Sequence, residues 1–151
     1  MKKKLLLETV LKLKSDIERS IAASFDDIIK YNFTEKKIDS LWERLEKMEV
    51  QLIHFKEVIQ EANKSKFEGK TNNYHIYFLS NLVAKSRFYE NLEKALNRSP
   101  KKALDAQITK DQVMSKRKQV GEEITKFQNK LSAFNSKKKV TVYLDESLNL
   151  L

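Results

Sequence analysis

The sequence has no cysteine, one proline and two glycines in 151 residues. Without cysteine it has no disulfide framework, no thiolate metal site and no thiol nucleophile, and a cytoplasmic setting fits best. So little proline and glycine cannot supply the frequent turns of a strand-rich fold, whereas the abundant Leu, Lys and Glu favour long helices. No apolar run approaches the ~20 residues that cross a bilayer, so no transmembrane segment is expected and the chain reads as soluble or peripheral. Its opening, Met1-Lys2-Lys3-Lys4-Leu5-Leu6-Leu7, has the basic-then-apolar order of a signal peptide, but Glu8, Lys12, Lys14 and Asp16 interrupt it.

Catalytic and cofactor signatures are missing as well. Two glycines cannot build a phosphate-binding loop, and no Gly-x-Ser-x-Gly occurs. His54 and His75 stand in no metal-ligand spacing, and the Glu-x-x-His pair of di-iron bundles is absent. The acid pairs Asp26-Asp27 and Glu122-Glu123 are neighbours in sequence, so on a helix they point about 100° apart and read as solvated surface. No enzyme, metal or cofactor is expected, and no pattern specifies a small-molecule ligand.

What is present is helical rhythm. Leu6, Val10, Leu13, Ile17, Ile21, Phe25 and Ile28 recur at steps of three and four, predicting a first helix over 4–31. Thr34 is a candidate cap for a second helix, with Phe33 stapled to Ile38. From Ile38 a heptad runs without error, with Ile38, Leu45, Leu52 and Ile59 at one core position and Leu41, Met48, Phe55 and Ala62 at the other. The segment from Asn63 to Asn73 gathers turn residues, and Gly69 is expected at a positive φ. A third helix over 74–97 carries the most apolar face and is expected to be the most buried. A capping box, Thr109-x-x-Gln112, opens the last long helix, in which Val113, Val120, Phe127 and Phe134 share a register and Asn135 is the expected stop. Gly121 in mid-helix suggests a close helix contact or a hinge. Val140 to Leu144 alternates like a short strand, and Asp145 is placed to cap a final turn.

The fold expected is therefore all-α: one domain over 1–151, an antiparallel bundle of about four long helices with coiled-coil-like heptad packing over 1–136. A short extended C-terminal tail over 137–151 is too apolar to stay free and should dock on the bundle or on a partner.

The formal net charge is +9, and residues 98–139 hold twelve Lys or Arg against four Asp or Glu. Candidate nucleic-acid or anion contacts are Lys116, Arg117, Lys118, Lys137, Lys138 and Lys139. On the last long helix Lys116, Lys118, Lys126 and Lys130 surround the axis instead of forming one stripe, and the 137–139 run adds a local patch. Tyr74, His75, Tyr77 and Phe78 beside Lys85 and Arg87 suit either base stacking or a core, the core being the commoner use.

Two resemblances follow from these residues. The order of a second helix ending Ile59-Gln60-Glu61-Ala62-Asn63, a hairpin with Gly69 and Thr71, a helix bearing Arg87, a Thr109-x-Asp111 start and a last helix with Gln128 resembles the septicolysin-like family of small bacterial helical proteins. Gln60 and Phe88 depart from that family's pattern of Asn and Asp at those places. The resemblance implies an oligomeric helical bundle, and through the family's name a membrane-active toxin, with Asn63, Gly69, Thr71, Arg87 and Gln128 as its motif positions. The tail, Lys139-Val140-Thr141-Val142-Tyr143-Leu144-Asp145-Glu146, resembles the opening strand of ribbon-helix-helix repressors, which implies that Lys139, Thr141 and Tyr143 face a DNA groove. The functional expectation is a non-enzymatic helical protein for assembly or partner binding, forming a homo-oligomer, with a nucleic-acid-binding accessory protein and the toxin as alternatives.

Overall fold

A computed structural model describes residues 1–34 and 37–151. The chain is all-α in architecture, with helical-bundle packing, and four long helices dominate the described residues. They are α1 (Leu7–Tyr31), α2 (Asp39–Asn63), α3 (Asn72–Arg98) and α5 (Lys110–Lys137), with a five-residue α4 (Pro100–Leu104) before the last. Two small antiparallel ribbons complete it, β1 (Lys2–Leu6) with β4 (Lys139–Tyr143) and β2 (Lys66–Phe67) with β3 (Lys70–Thr71). Where length suggests one domain, packing divides the chain into two compact units: Met1–Ser65 with Asn135–Leu151, and Lys66–Phe134.

In the first unit α1 presents Val10, Leu13, Ile17, Ile21 and Ile28 to Leu45, Met48 and Phe55 of α2. The apolar rhythm selects all of these positions, with Ile38, Leu41, Leu52 and Ile59 half-buried around them, but it also selects Phe25, which is exposed (45%) near the end of α1. The tail docks within its own chain: β4 pairs with β1, and Val142, Leu144 and Leu148 enter the same core. Asp145 caps the closing 3-10 turn, Glu146–Leu148, by accepting from the Ser147 N–H at 2.9 Å. A bond from the Ser147 hydroxyl at 2.6 Å, together with that backbone bond, holds the Asp145 carboxyl below the usual carboxylate range.

The first helix begins at Leu7 and not at Lys4, because Lys2–Leu6 is drawn into the ribbon. The Leu7 N–H, an orphan donor at the helix start, donates to the Lys138 carbonyl at 2.7 Å and continues the ladder. The Thr34 hydroxyl donates back to the Tyr31 carbonyl at 2.9 Å. The helical turn expected directly after Thr34 falls on residues 35 and 36, outside the described residues, and α2 starts at Asp39.

In the second unit Glu68 and Gly69 form the turn of the β2–β3 hairpin, both at positive φ (48° and 79°), the geometry a two-residue hairpin loop demands. Thr71 then caps α3, accepting from the Tyr74 N–H at 3.2 Å. Helices α3 and α5 run antiparallel, joined by Phe78 stacked on Phe127 at 4.7 Å between ring centres and, further along, by the Arg117–Glu93 ion pair. Lys130 closes on Glu68 of the hairpin at 2.9 Å and holds that carboxyl below its ordinary range. Both halves of the predicted capping box form: the Thr109 N–H donates to Gln112 Oε1 (2.9 Å) and the Gln112 N–H to Thr109 Oγ1 (3.3 Å).

Three expectations are corrected here. Helix α3 is not the most buried: only Asn72, His75 and Leu82 are buried, because α5 is its one long neighbour in this unit and covers a single stripe. Gly121 is not held by a close contact, since a Cβ there would meet nothing within 4 Å, and α5 runs through it unbroken. The last helix passes Asn135 and stops at Lys137, where the chain turns into β4.

Candidate nucleic-acid interface

The β1–β4 ribbon joins the two ends of the chain. Lys2 lies opposite Tyr143, Lys4 opposite Thr141 and Leu6 opposite Lys139. Successive strand residues point to opposite faces. Leu5, Val140 and Val142 face the core, so Lys2, Lys4, Lys139, Thr141 and Tyr143 stand on the outer face, and all five are exposed. Three ammonium groups thus share one face with a hydroxyl and a phenol. The Lys2 ammonium lies over the Tyr143 ring, 5.6 Å from its centre.

Helix α2 fixes the outer edge of β4. Backbone hydrogen bonds join Met1 to Leu144 at 2.7 Å, so by antiparallel alternation the Tyr143 N–H and C=O point away from β1. The buried Gln51 side chain meets them there, its Nε2 donating to the Tyr143 carbonyl and its Oε1 accepting from the Asp145 N–H, both at 2.8 Å. His54 Nε2 accepts from the Tyr143 N–H at 3.0 Å. Tyr143 is thereby held by backbone and ring together, with the His54 ring edge-on to its own at 5.8 Å. Beside this edge lies an open cleft of about 590 Å³ lined by Glu43, Glu46, Asp145, Lys47 and His54 among others. Its carboxylates, and the salt bridge that engages Lys47 with Glu43 at 2.9 Å, make it unsuited to an anion.

The sequence-predicted cations separate into different situations. Lys139 is on the outer ribbon face, Lys138 donates to the Ser65 hydroxyl at 2.8 Å, and Lys137 is the exposed last residue of α5. In the second unit Lys116 and Lys118 are exposed on different sides of α5, and Arg117 between them is engaged by Glu93. Of the family-motif positions, Asn63 ends α2 in the first unit, while Gly69 and Thr71 shape the hairpin of the second. Arg87 lies about 24 Å further along α3 at 1.5 Å per residue, and Gln128 is exposed on α5. The aromatic cluster divides as well: His75 and Phe78 pack on Phe127, whereas Tyr74 and Tyr77 are exposed.

Nothing in the sequence marks Lys2, Lys4 or Gln51 for this site, and His54 stands out there only as a histidine without metal-ligand spacing. The available signal was the alternation of Val140 to Leu144, which calls for a partner strand. Lys2–Leu6 does not alternate, and its leucines read equally well as a helix start.

Comparison with known protein families, with curated proteins and with solved structures finds no match. Among the described residues no cluster of His, Cys, Asp and Glu is suited to a metal, and no helix is long and apolar enough to cross a membrane.

Proposed function

We propose that the chain is a non-enzymatic nucleic-acid-binding protein that seats its β1–β4 ribbon in the major groove of a duplex. The observation that carries this reading is the register that gathers Lys2, Lys4 and Lys139 with Thr141 and Tyr143 on one exposed face. A two-stranded ribbon fits a groove about 12 Å wide, and five residues span about 17 Å along it. The ammonium groups reach phosphates on the rims, while the Thr141 hydroxyl and the Tyr143 phenol stand between them, where base edges lie. A single strand fits less well: its bases need open aromatic faces, and Lys2 covers the one ring on this face.

A salt titration of binding to random duplex tests the reading. Affinity should fall linearly in log-log form, and the K2A/K4A/K139A triple variant should flatten the slope by about 3, one unit per lost phosphate contact. Absence of binding at ~50 mM salt, or an unchanged slope in the variant, overturns it.

A further inference from the structure

Two helices, one in each unit, leave exposed faces whose charges are opposite. On α2, Trp42 (45% exposed) and Ile53 (59%) stand eleven residues apart on one side of the helix. Glu46 and Glu49 lie between them and Glu57 one turn beyond, no described cation pairs with these three, and the flanking Lys56 is turned to Glu18 of α1 at 3.9 Å. On α3, Tyr77 (68% exposed) and Phe88 (56%) are also eleven residues apart. Between and beyond them Asn81, Ala84 and Asn91 continue the same stripe without a charge, and Lys85 and Arg87 flank it on either side. In both helices the anchors lie about 16 Å apart along the axis.

We infer that the α2 face of one copy docks on the α3 face of a second copy. Charge decides this occupant. Face-to-face pairing of two α3 stripes would set Lys85 and Arg87 against their own kind, and pairing of two α2 faces would do the same with carboxylates; α2 on α3 sets carboxylates against cations at matching anchor spacing. Large aromatic side chains such as Trp42, Tyr77 and Phe88 are the type that dominates interface energetics. Such a contact uses different surfaces on the two copies, so it repeats and builds rings or open chains of subunits. It stands independently of the nucleic-acid reading, since it uses none of the outer ribbon residues.

The test is molar mass in solution. Wild-type mass should rise with concentration above the 17.8 kDa of one chain and fall back as salt is raised from ~50 to ~500 mM. The W42A/I53A and Y77A/F88A variants should each stay at the mass of one chain, while their equimolar mixture should stop at twice that mass, because each supplies the face the other lacks. Charge reversal keeps the anchors and provides a second route: E46K/E49K or K85E/R87E should each abolish growth, and all four changes in one chain should restore it. Wild type that stays at the mass of one chain at every concentration overturns the inference. So does a mixture that does not associate, or an α2-face variant that still forms a dimer alone.

Discussion

In the first unit two long helices and the C-terminal segment surround a shared apolar core, whereas in the second the buried apolar residues are fewer, Leu82 of α3 and Val113, Val120 and Phe134 of α5, the last packed on Phe67 of the hairpin. Their charges differ in the same sense. The first unit carries 16 Lys or Arg against 14 Asp or Glu, a net +2, and the second carries 14 against 7, a net +7. Self-repulsion opposes compactness, so the more basic unit is also the one with less apolar burial to offset it. Cohesion is concentrated in the first unit. There the two signs are also separated, with carboxylates along the outer side of α2 and lysines on the ribbon.

The sharpest way to break this contrast is at Phe55, which is fully buried in the first unit. Phe55→Ala should destabilise that unit by about 3–5 kcal/mol through lost burial and the cavity left behind. In hydrogen exchange, amides of α1, α2 and β4 should lose protection while those of α3 and α5 keep theirs. Equal loss in both units would show that the division has no energetic counterpart.

A smaller effect is expected at Gln51. Gln51→Ala leaves the Tyr143 carbonyl and the Asp145 N–H without their partner, at about 1–3 kcal/mol. The loss should appear as freer exchange in β4 and the closing turn, with helices α3 and α5 untouched.

The smallest effect is one of pH. Because Asp145 has a lower pKa folded than unfolded, its cap is fully present above the ordinary carboxylate range and is lost as pH falls through the depressed value. Acidification should therefore loosen the Glu146–Leu148 turn, read from the Ser147 amide resonance, and Asp145→Asn should remove the dependence.

Much of this fold was legible in side-chain order. The heptad from Ile38 names Leu45, Met48, Phe55 and Ala62, all buried, and the capping box at Thr109 forms in both directions. Gly69 takes its positive φ, and Asp145 caps the last turn. What stayed hidden depends on partners distant in sequence. Lys2–Leu6 becomes a strand only because Lys139–Tyr143 lies beside it, and no local preference of Lys-Lys-Lys-Leu-Leu encodes that. Gln51 occupies a polar place inside a helix otherwise read by its apolar residues, and its role appears only once β4 is docked. The candidate interface was legible in one half alone: Lys139, Thr141 and Tyr143 read as an alternating strand, while Lys4 reads as the start of the first helix and Lys2 as the residue run before it.

The amide of Gln51 and the imidazole of His54 have one more consequence. A bare strand margin recruits other strands, and a two-stranded ribbon is an easy template for cross-β growth. Here two side chains from a neighbouring helix occupy the places another backbone would take at Tyr143 and Asp145. A helix thus acts as a dummy strand at the C-terminal end of β4, closing those two places to a misfolded neighbour.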